Sequence, residues 1–330
     1  MNRIFFGLLS LAALLGGCVQ PAQQEDSAAA ATVLDGSVST FAAQAYFRWF
    51  NQLAVSENVN VELAAVGSGE SIRGFLAGEV DFAGTDSPPS AAEIKAAPKG
   101  LLAFPVTAGA VAVVYNLPGC ELRLSRSQLV DLFLGKITNF AVLGCQAQPI
   151  TLLHRRDSSG TTANFTASLA AVSSQWRQAY GSGRLVAWPV GQSVDGSDGM
   201  GKALATTLGS IGYIESLYTR FPLQAAYLQN RAGKFVRPDP TSGASALSSI
   251  ELDSRLLGAN PDPPSGYPII NLNWMLVSVS GSAARLPALK TSLSYILSQA
   301  GQDDAEQLGY LPLPGSLREL ALGQLNQLKR

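Results

Sequence analysis

The chain has 330 residues, 47% hydrophobic and 14% charged, with 23 Lys and Arg against 24 Asp and Glu for a net charge of −1. So low a charged fraction excludes a disordered tail protein or a long solvated helix, and a charge near zero gives no field for nonspecific DNA or RNA binding. One histidine, His154, and three cysteines exclude a disulfide scaffold and a multi-cysteine zinc or iron–sulfur site, while the length suits two domains or one large one.

Residues 1–17 read as a signal peptide: Arg3, an apolar run from Ile4 to Leu15, then small residues. The run is shorter than the roughly 20 apolar residues of a stable transmembrane helix. It ends in Leu15-Gly16-Gly17-Cys18, which resembles a bacterial lipobox, whose cysteine is lipidated and becomes the new first residue. The alternative is an ordinary signal peptide with an incidental cysteine. Cleavage would leave 313 residues with a net charge of −2. Residues 18–32 lack aromatics and nearly all large apolar side chains, so they read as a lipidated, flexible tether. Cys120 and Cys145 remain. Outside the cytoplasm they can pair, contributing roughly 3 kcal/mol in the loop-entropy model, or they stay as buried free thiols.

Further along, short β-branched runs alternate with longer amphipathic ones, which argues for α/β layers. Helices are predicted over Phe41–Val55, Ser71–Ala77, Ala91–Ala97 and Ser125–Leu134, and strands over Val59–Val66, Val80–Ala83, Val111–Tyr115 and Ile150–Leu153. Another helix runs from Thr161 through Phe165 to Val172. The breaker-rich stretch Gly258–Pro268 reads as a surface connection. Ile269–Val279 reads as a strand, followed by helices over Leu286–Gln299, Asp303–Leu308 and Leu317–Leu328.

Three segments share one pattern, a Ser/Thr/Gly loop opening a helix. They are Asp35 to Phe41 with Ser39 and Thr40, Val66 to Ser71 with Gly67 and Ser68, and Arg155 to Thr161 with Asp157, Ser159 and Gly160. A helix N-terminus offers unpaired N–H donors and a partial positive charge, hydroxyls add donors, and glycine lets an anion approach the backbone. Plain N-capping is the alternative for each loop taken alone. Arg155 sharpens the third loop, because a guanidinium binds an oxyanion through two parallel bonds; its alternative is a surface ion pair with Asp157. A fourth segment ends a strand at Asp86, just before a turn and the capping pattern Ser90 to Glu93.

In this order these segments resemble the phosphate-binding proteins of bacterial ABC phosphate transporters. The matching motifs are Thr40-Phe41, Gly67-Ser68, Val80-Asp81-Phe82 with Asp86, and Arg155, Asp157, Ser159, Gly160 and Thr161 in an Arg-x-Asp-x-Ser-Gly-Thr pattern. Phe104-Pro105, Asn116 to Gly119, Leu134 to Ile137, Trp188-Pro189 and Gly209 to Tyr213 add to the likeness. The resemblance implies an α/β, two-lobed type II periplasmic-binding-protein fold with a ligand cleft and a hinge of two chain crossings. Residues 33–110 plus 272–330 would form one lobe and 111–271 the other. It also implies a phosphate site. Thr40, the Phe41 amide, Ser68, Ser159, Gly160 and Thr161 would donate to phosphate oxygens, Arg155 would supply the charge, Asp157 would hold the guanidinium, and Asp86 would accept the phosphate's own proton. The expected protein is a monomeric lipid-anchored extracytoplasmic receptor whose partners are inorganic phosphate and ABC permease subunits. No cofactor, metal site or catalytic activity is expected.

The sequence departs from the family pattern at Ala42, where proline is usual, and at Gly69-Glu70-Ser71, where Ser-Gly-Gly is usual. Glu70 is expected to point away from the anion, and Arg156 to face solvent. Arsenate, sulfate or another tetrahedral oxyanion is the alternative ligand, with transport or surface sensing as the task. A serine hydrolase would have to use His154 with Asp157 and Ser159, which lie within six residues and lack a Gly-x-Ser-x-Gly elbow. Gly196 to Ala203 nearly matches a nucleotide P-loop but ends in Ala203 where Ser or Thr is needed, and reads as a glycine-rich loop before a helix.

Overall fold

The computed structural model of the chain describes residues 32–329. The predicted signal peptide, the lipidation candidate Cys18 and the predicted tether as far as residue 31 lie outside the described residues, while the tether's predicted last residue, Thr32, instead opens β1. In chain order the elements are β1 (Thr32–Ser39), α1 (Ala43–Ser56), β2 (Val59–Val66), α2 (Ser68–Leu76), β3 (Phe82–Thr85), α3 (Ala91–Ala96), β4 (Leu101–Tyr115), β5 (Arg123–Leu124), α4 (Arg126–Phe133), β6 (Thr151–Arg155), α5 (Gly160–Val172), α6 (Ser174–Ala179), β7 (Gln192–Val194), α7 (Gly196–Thr206), β8 (Ser210–Glu215), β9 (Gln224–Ala225), β10 (Tyr227–Gln229), β11 (Phe235–Val236), α8 (Pro240–Leu247), β12 (Ile270–Ser278), α9 (Leu286–Ile296), α10 (Gln299–Gln307) and α11 (Gly315–Gln324). None of these helices is long and apolar enough to cross a membrane.

The main sheet runs β2-β1-β3-β12-β4-β8-β6-β7, with β9 also on β4, while β5, β10 and β11 form a small second sheet. β1 lies parallel to β2 and β3, and β6 parallel to β7 and β8. β12 runs antiparallel between β3 and β4, and β8 antiparallel to β4. Helices cover the faces, so β3, β4, β8 and β12 are buried almost throughout. On α1 the buried residues Tyr46, Trp49, Phe50 and Leu53 recur at helical spacing and turn toward the sheet. The Tyr46 ring stacks on Phe82 of β3 at 6.3 Å.

β4 is the largest departure from the predicted elements. It spans Leu101–Tyr115, whereas the sequence pattern predicts a strand over Val111–Tyr115, within an apolar run that starts at Ala108. Pro105 cannot donate to a ladder and reads as a breaker. Here it sits opposite Trp274 beside a register shift at Asn273/Trp274, a bulge that accommodates it. Along β4, Leu101–Ala110 pairs with β12 and Val111–Tyr115 pairs with β8. The predicted helix Leu286–Gln299 ends at Ile296, because Ser298 accepts from the Gly301 amide and caps a new helix, α10. Gly258–Pro268 carries no helix or strand. Cys120 and Cys145 are joined in a disulfide with Cα atoms 5.4 Å apart.

Candidate anion-binding site

β6 ends in Arg155, and its guanidinium is buried, with 3% of the side chain exposed. A surface ion pair is therefore not its role. Nε donates to Asp157 Oδ1 at 2.6 Å and Nη2 to Oδ2, a two-pronged hold. Nη2 also donates to Thr40 Oγ1 at 3.1 Å, and Nη1 to Ser197 Oγ at 3.4 Å. Those four bonds leave one Nη1 hydrogen of the five guanidinium donors. Burial works against both charges, but their mutual bonds outweigh it. Asp157 is held below the usual carboxylate range and Arg155 is pushed further up.

Asp86 follows β3 and is 1% exposed. Its Oδ1 accepts from Ser39 Oγ and Asn273 Nδ2, both at 2.7 Å, while Oδ2 accepts only from Ser68 Oγ, at 3.3 Å. Burial raises its pKa to about 6, against the bonds from Ser39 and Asn273, the Arg155 charge and the Ser68 bond. One carboxylate oxygen is thus saturated and the other is lightly held.

The three loops differ in how they start their helices. The N-cap positions of α1 and α2 are Ala42 and Gly67, neither of which makes a side-chain cap, so Thr40 and Ser68 are not N-caps. Ser159 is one, since its Oγ accepts from the Thr162 amide at 3.2 Å. Its own hydroxyl proton and the amides of Gly160 and Thr161 belong to a first turn whose N–H groups the helix does not use. Thr161 Oγ1 is buried and has no hydrogen-bond partner among the described residues. The Phe41 carbonyl accepts from Tyr310 OH at 2.6 Å, which fixes the turn carrying the Phe41 amide.

The loops close on one another. The Gly69 amide donates to the Ser158 carbonyl at 2.9 Å. Asn164 on α5 donates to the Asp86 carbonyl at 2.7 Å. A Cβ on Gly160 would stand 2.8 Å from Asp86 Cβ and collide with Ser68 Oγ, so only glycine permits this approach. Thr40, Ser68, Asp86, Arg155, Asp157, Ser159, Gly160 and Thr161 therefore come together around one buried arginine. Donors outnumber acceptors there, and one lightly held carboxylate oxygen is the exception. Such a set suits a small anion that still carries a proton.

A model of the PBP superfamily domain matches residues 23–300. Over 302 residues the chain is 32% identical to the phosphate-binding protein PstS of Xylella fastidiosa, covering 86% of this chain and 82% of that one. The chain belongs to the PstS family. PstS of Pasteurella multocida is 30% identical over 301 residues, covering 86% of this chain and 87% of that one. The crystal structure of a phosphate-binding protein from Stenotrophomonas maltophilia is similar in fold, with a TM-score of 0.72 at 19% identity over 89% of this chain and 94% of that one. The fold is accordingly the type II periplasmic-binding-protein fold, and the PstS family is one of binding proteins of ABC phosphate transporters, not of enzymes.

Within this PstS-family chain the rival motifs resolve on physical grounds. His154 stacks on Trp188 with ring centroids 5.0 Å apart, and its Nδ1 lies 3.3 Å from the Arg155 carbonyl. Asp157 is spent on Arg155 and the Gly196 amide. The glycine-rich segment from Gly196 is not a loop before a helix, because it forms the first turns of α7 itself, entered through Gly196 at φ +63°. Glu70 pairs with Arg73, and Arg156 pairs with Asp195, all at the surface.

Sequence reasoning placed Ser39 in the first loop without its bond to Asp86, and missed Asn273, Ser197 and Glu215. Asn271 and Asn273 stand out in hindsight as amides inside the apolar run of β12, and Glu215 as a charge closing the apolar run of β8. Each is buried, and a buried polar side chain needs a partner.

Proposed function

We propose that this protein is a lipid-anchored extracytoplasmic receptor that captures inorganic phosphate and delivers it to an ABC permease. The observation that carries the ligand is Asp86 Oδ2, a buried, lightly held acceptor among the donors around Arg155. Phosphate near neutral pH keeps a proton and sulfate keeps none. A carboxylate facing P–OH gains a charge-assisted bond, while facing sulfate it meets lone pairs and like charge. A site whose buried polar group is left unpaired rejects the analogue by roughly 10⁴–10⁵-fold. The Thr40, Ser68, Ser159 and Thr161 hydroxyls, the Phe41, Gly160 and Thr161 amides and the Arg155 guanidinium would hold the other oxygens, with Asp157 fixing the arginine.

The lobes would be residues 33–110 plus 272–330 and residues 111–271, with crossings near Phe104–Tyr115 and Tyr267–Asn273. The exchange of partners along β4 at Ala110 and Val111 supports that division. Thr40, Ser68 and Asp86 then stand on one lobe and Arg155 to Thr161 on the other. A ligand touching both favours the closed form by its differential affinity. The closed monomer would dock on the permease. Cys18 would carry the lipid, such as a palmitoyl chain, and the residues after it, predicted as far as 32 but ending where β1 starts at Thr32, would be the tether. Isothermal titration of the mature protein with phosphate and with sulfate tests the reading. Heat with phosphate at micromolar concentration and none with sulfate is expected, and no heat with phosphate overturns it. Release of the Cys18→Ala variant from membranes tests the anchor.

A further inference from the structure

Glu215 closes β8 with its carboxyl 1% exposed, and the phosphate reading gives it no task. Its Oε1 accepts from Ser197 Oγ at 2.5 Å, while Oε2 is buried with no partner among the described residues. Ser197 sits in the first turn of α7. Its amide donates to Thr40 Oγ1 at 3.2 Å, and its Oγ lies 3.1 Å from the same atom. Arg155 Nη2 donates to Thr40 Oγ1 as well. A hydroxyl has two acceptor lone pairs and one proton. With both lone pairs of Thr40 filled by N–H donors, its proton is directed away from them. A hydroxyl that accepts from a guanidinium is also a stronger donor.

We propose that Glu215 is a positioning residue of the anion site, which fixes the Thr40 hydroxyl through Ser197 and, by its own ionisation, sets how tightly the anion is held. This rests on the phosphate reading. By drawing the Ser197 hydroxyl proton to itself, Glu215 locks Ser197 in place and leaves its amide to hold Thr40. When ionised, Glu215 puts another negative charge beside the guanidinium on which the anion depends. The groups around it are Arg155 from β6, which favours its ionised form, and Asp86 after β3, which opposes it. Tyr218 and Tyr310 also face it, Tyr218 being bonded to Asp198, and Asp157 grips Arg155. Burial outweighs the Ser197 bond and the Arg155 charge and lifts the Glu215 pKa to about 7, so its charge changes in the range where the protein would work.

The test measures the phosphate Kd of the wild-type mature protein and the Glu215→Gln variant by isothermal titration from about pH 5.5 to 8.5. The ratio of wild-type to variant Kd cancels phosphate's own ionisation. It should rise by roughly tenfold across this range, as one nearby charge appears in the wild type only. A ratio that is flat with pH, including a uniform loss of affinity, overturns the proposal. Should Glu215→Gln not fold, Ser197→Ala decides. It removes the bond that favours the ionised carboxyl, so the loss of affinity should move to higher pH, and an unmoved profile overturns the proposal. Wild type that binds no phosphate at any pH would sink the phosphate reading itself.

Discussion

Replacing Asp86 by Asn keeps the shape of the side chain and removes its charge. In the structure the amide oxygen can take over the bonds from Ser39 and Asn273, both 2.7 Å from Oδ1. The amide nitrogen then replaces Oδ2, turning the acceptor offered to a protonated ligand into a donor. Sulfate, which the proposed role has the wild type reject by roughly 10⁴-fold or more, should bind the variant to within about tenfold of phosphate. The same exchange should stabilise the ligand-free protein. Burial raises Asp86 from 3.8 to about 6. A carboxyl raised in the folded state contributes stability that is full below its unfolded value and lost as pH rises through the folded one. At pH 7 that stability is gone, at a cost of about 3 kcal/mol, which Asn does not bear. Thermal melts at pH 7 without ligand should show a Tm several degrees higher than wild type, and the gain should vanish near pH 4. Titrations with phosphate and sulfate read the selectivity. Unchanged selectivity, or a lower Tm at pH 7, would refute the reasoning about Asp86.

Three further outcomes follow from the same geometry. Wild-type selectivity for phosphate over sulfate should shrink as pH falls through about 6, because a protonated Asp86 can donate to sulfate. Competition titrations at pH 7.5 and 5 read this, and a constant ratio contradicts the role. Gly160→Ala should fold with near-normal circular dichroism yet lose phosphate affinity by roughly 100-fold or more, since its methyl would meet Asp86 and Ser68. Normal affinity would show that the loops need not approach. Replacing Cys120 and Cys145 together by Ser should lower stability in guanidinium titrations by roughly 3 kcal/mol, the loop-closure value for a bridge across 25 residues. An unchanged midpoint would remove the staple argument.

Much of the fold was legible because its elements obey local rules. The i, i+3, i+4 stripe of α1, the β-branched run of β2 and the capping box at Ser90 and Glu93 depend only on neighbours along the chain. β4 was legible only from Val111, since Pro105 breaks the pattern and its tolerance depends on a bulge at Val106 in the pairing with β12, a strand more than 160 residues away. The polar partners of the site were illegible for a similar reason. Ser39, Asn273 and Ser197 hold Asp86 and Thr40 across separations of 47, 187 and 157 residues.

The sequence alone determined the chemical vocabulary: one arginine followed by an Asp, a Ser-Gly-Thr helix start, two further hydroxyl loops and an aspartate at a strand end. Those motifs are local, and the backbone of each loop forms them wherever it lies. The tertiary structure decided which of these groups converge. It buried Asp86 until desolvation raised its pKa, buried Arg155 in the grip of Asp157, whose bonds overcome the burial, and sent Arg156 to solvent with Asp195. It also placed Ser197 against Thr40 and Glu215 against Ser197. Charge strength and hydrogen-bond direction depend on burial and on partners brought from distant parts of the chain. That is information a linear pattern does not hold.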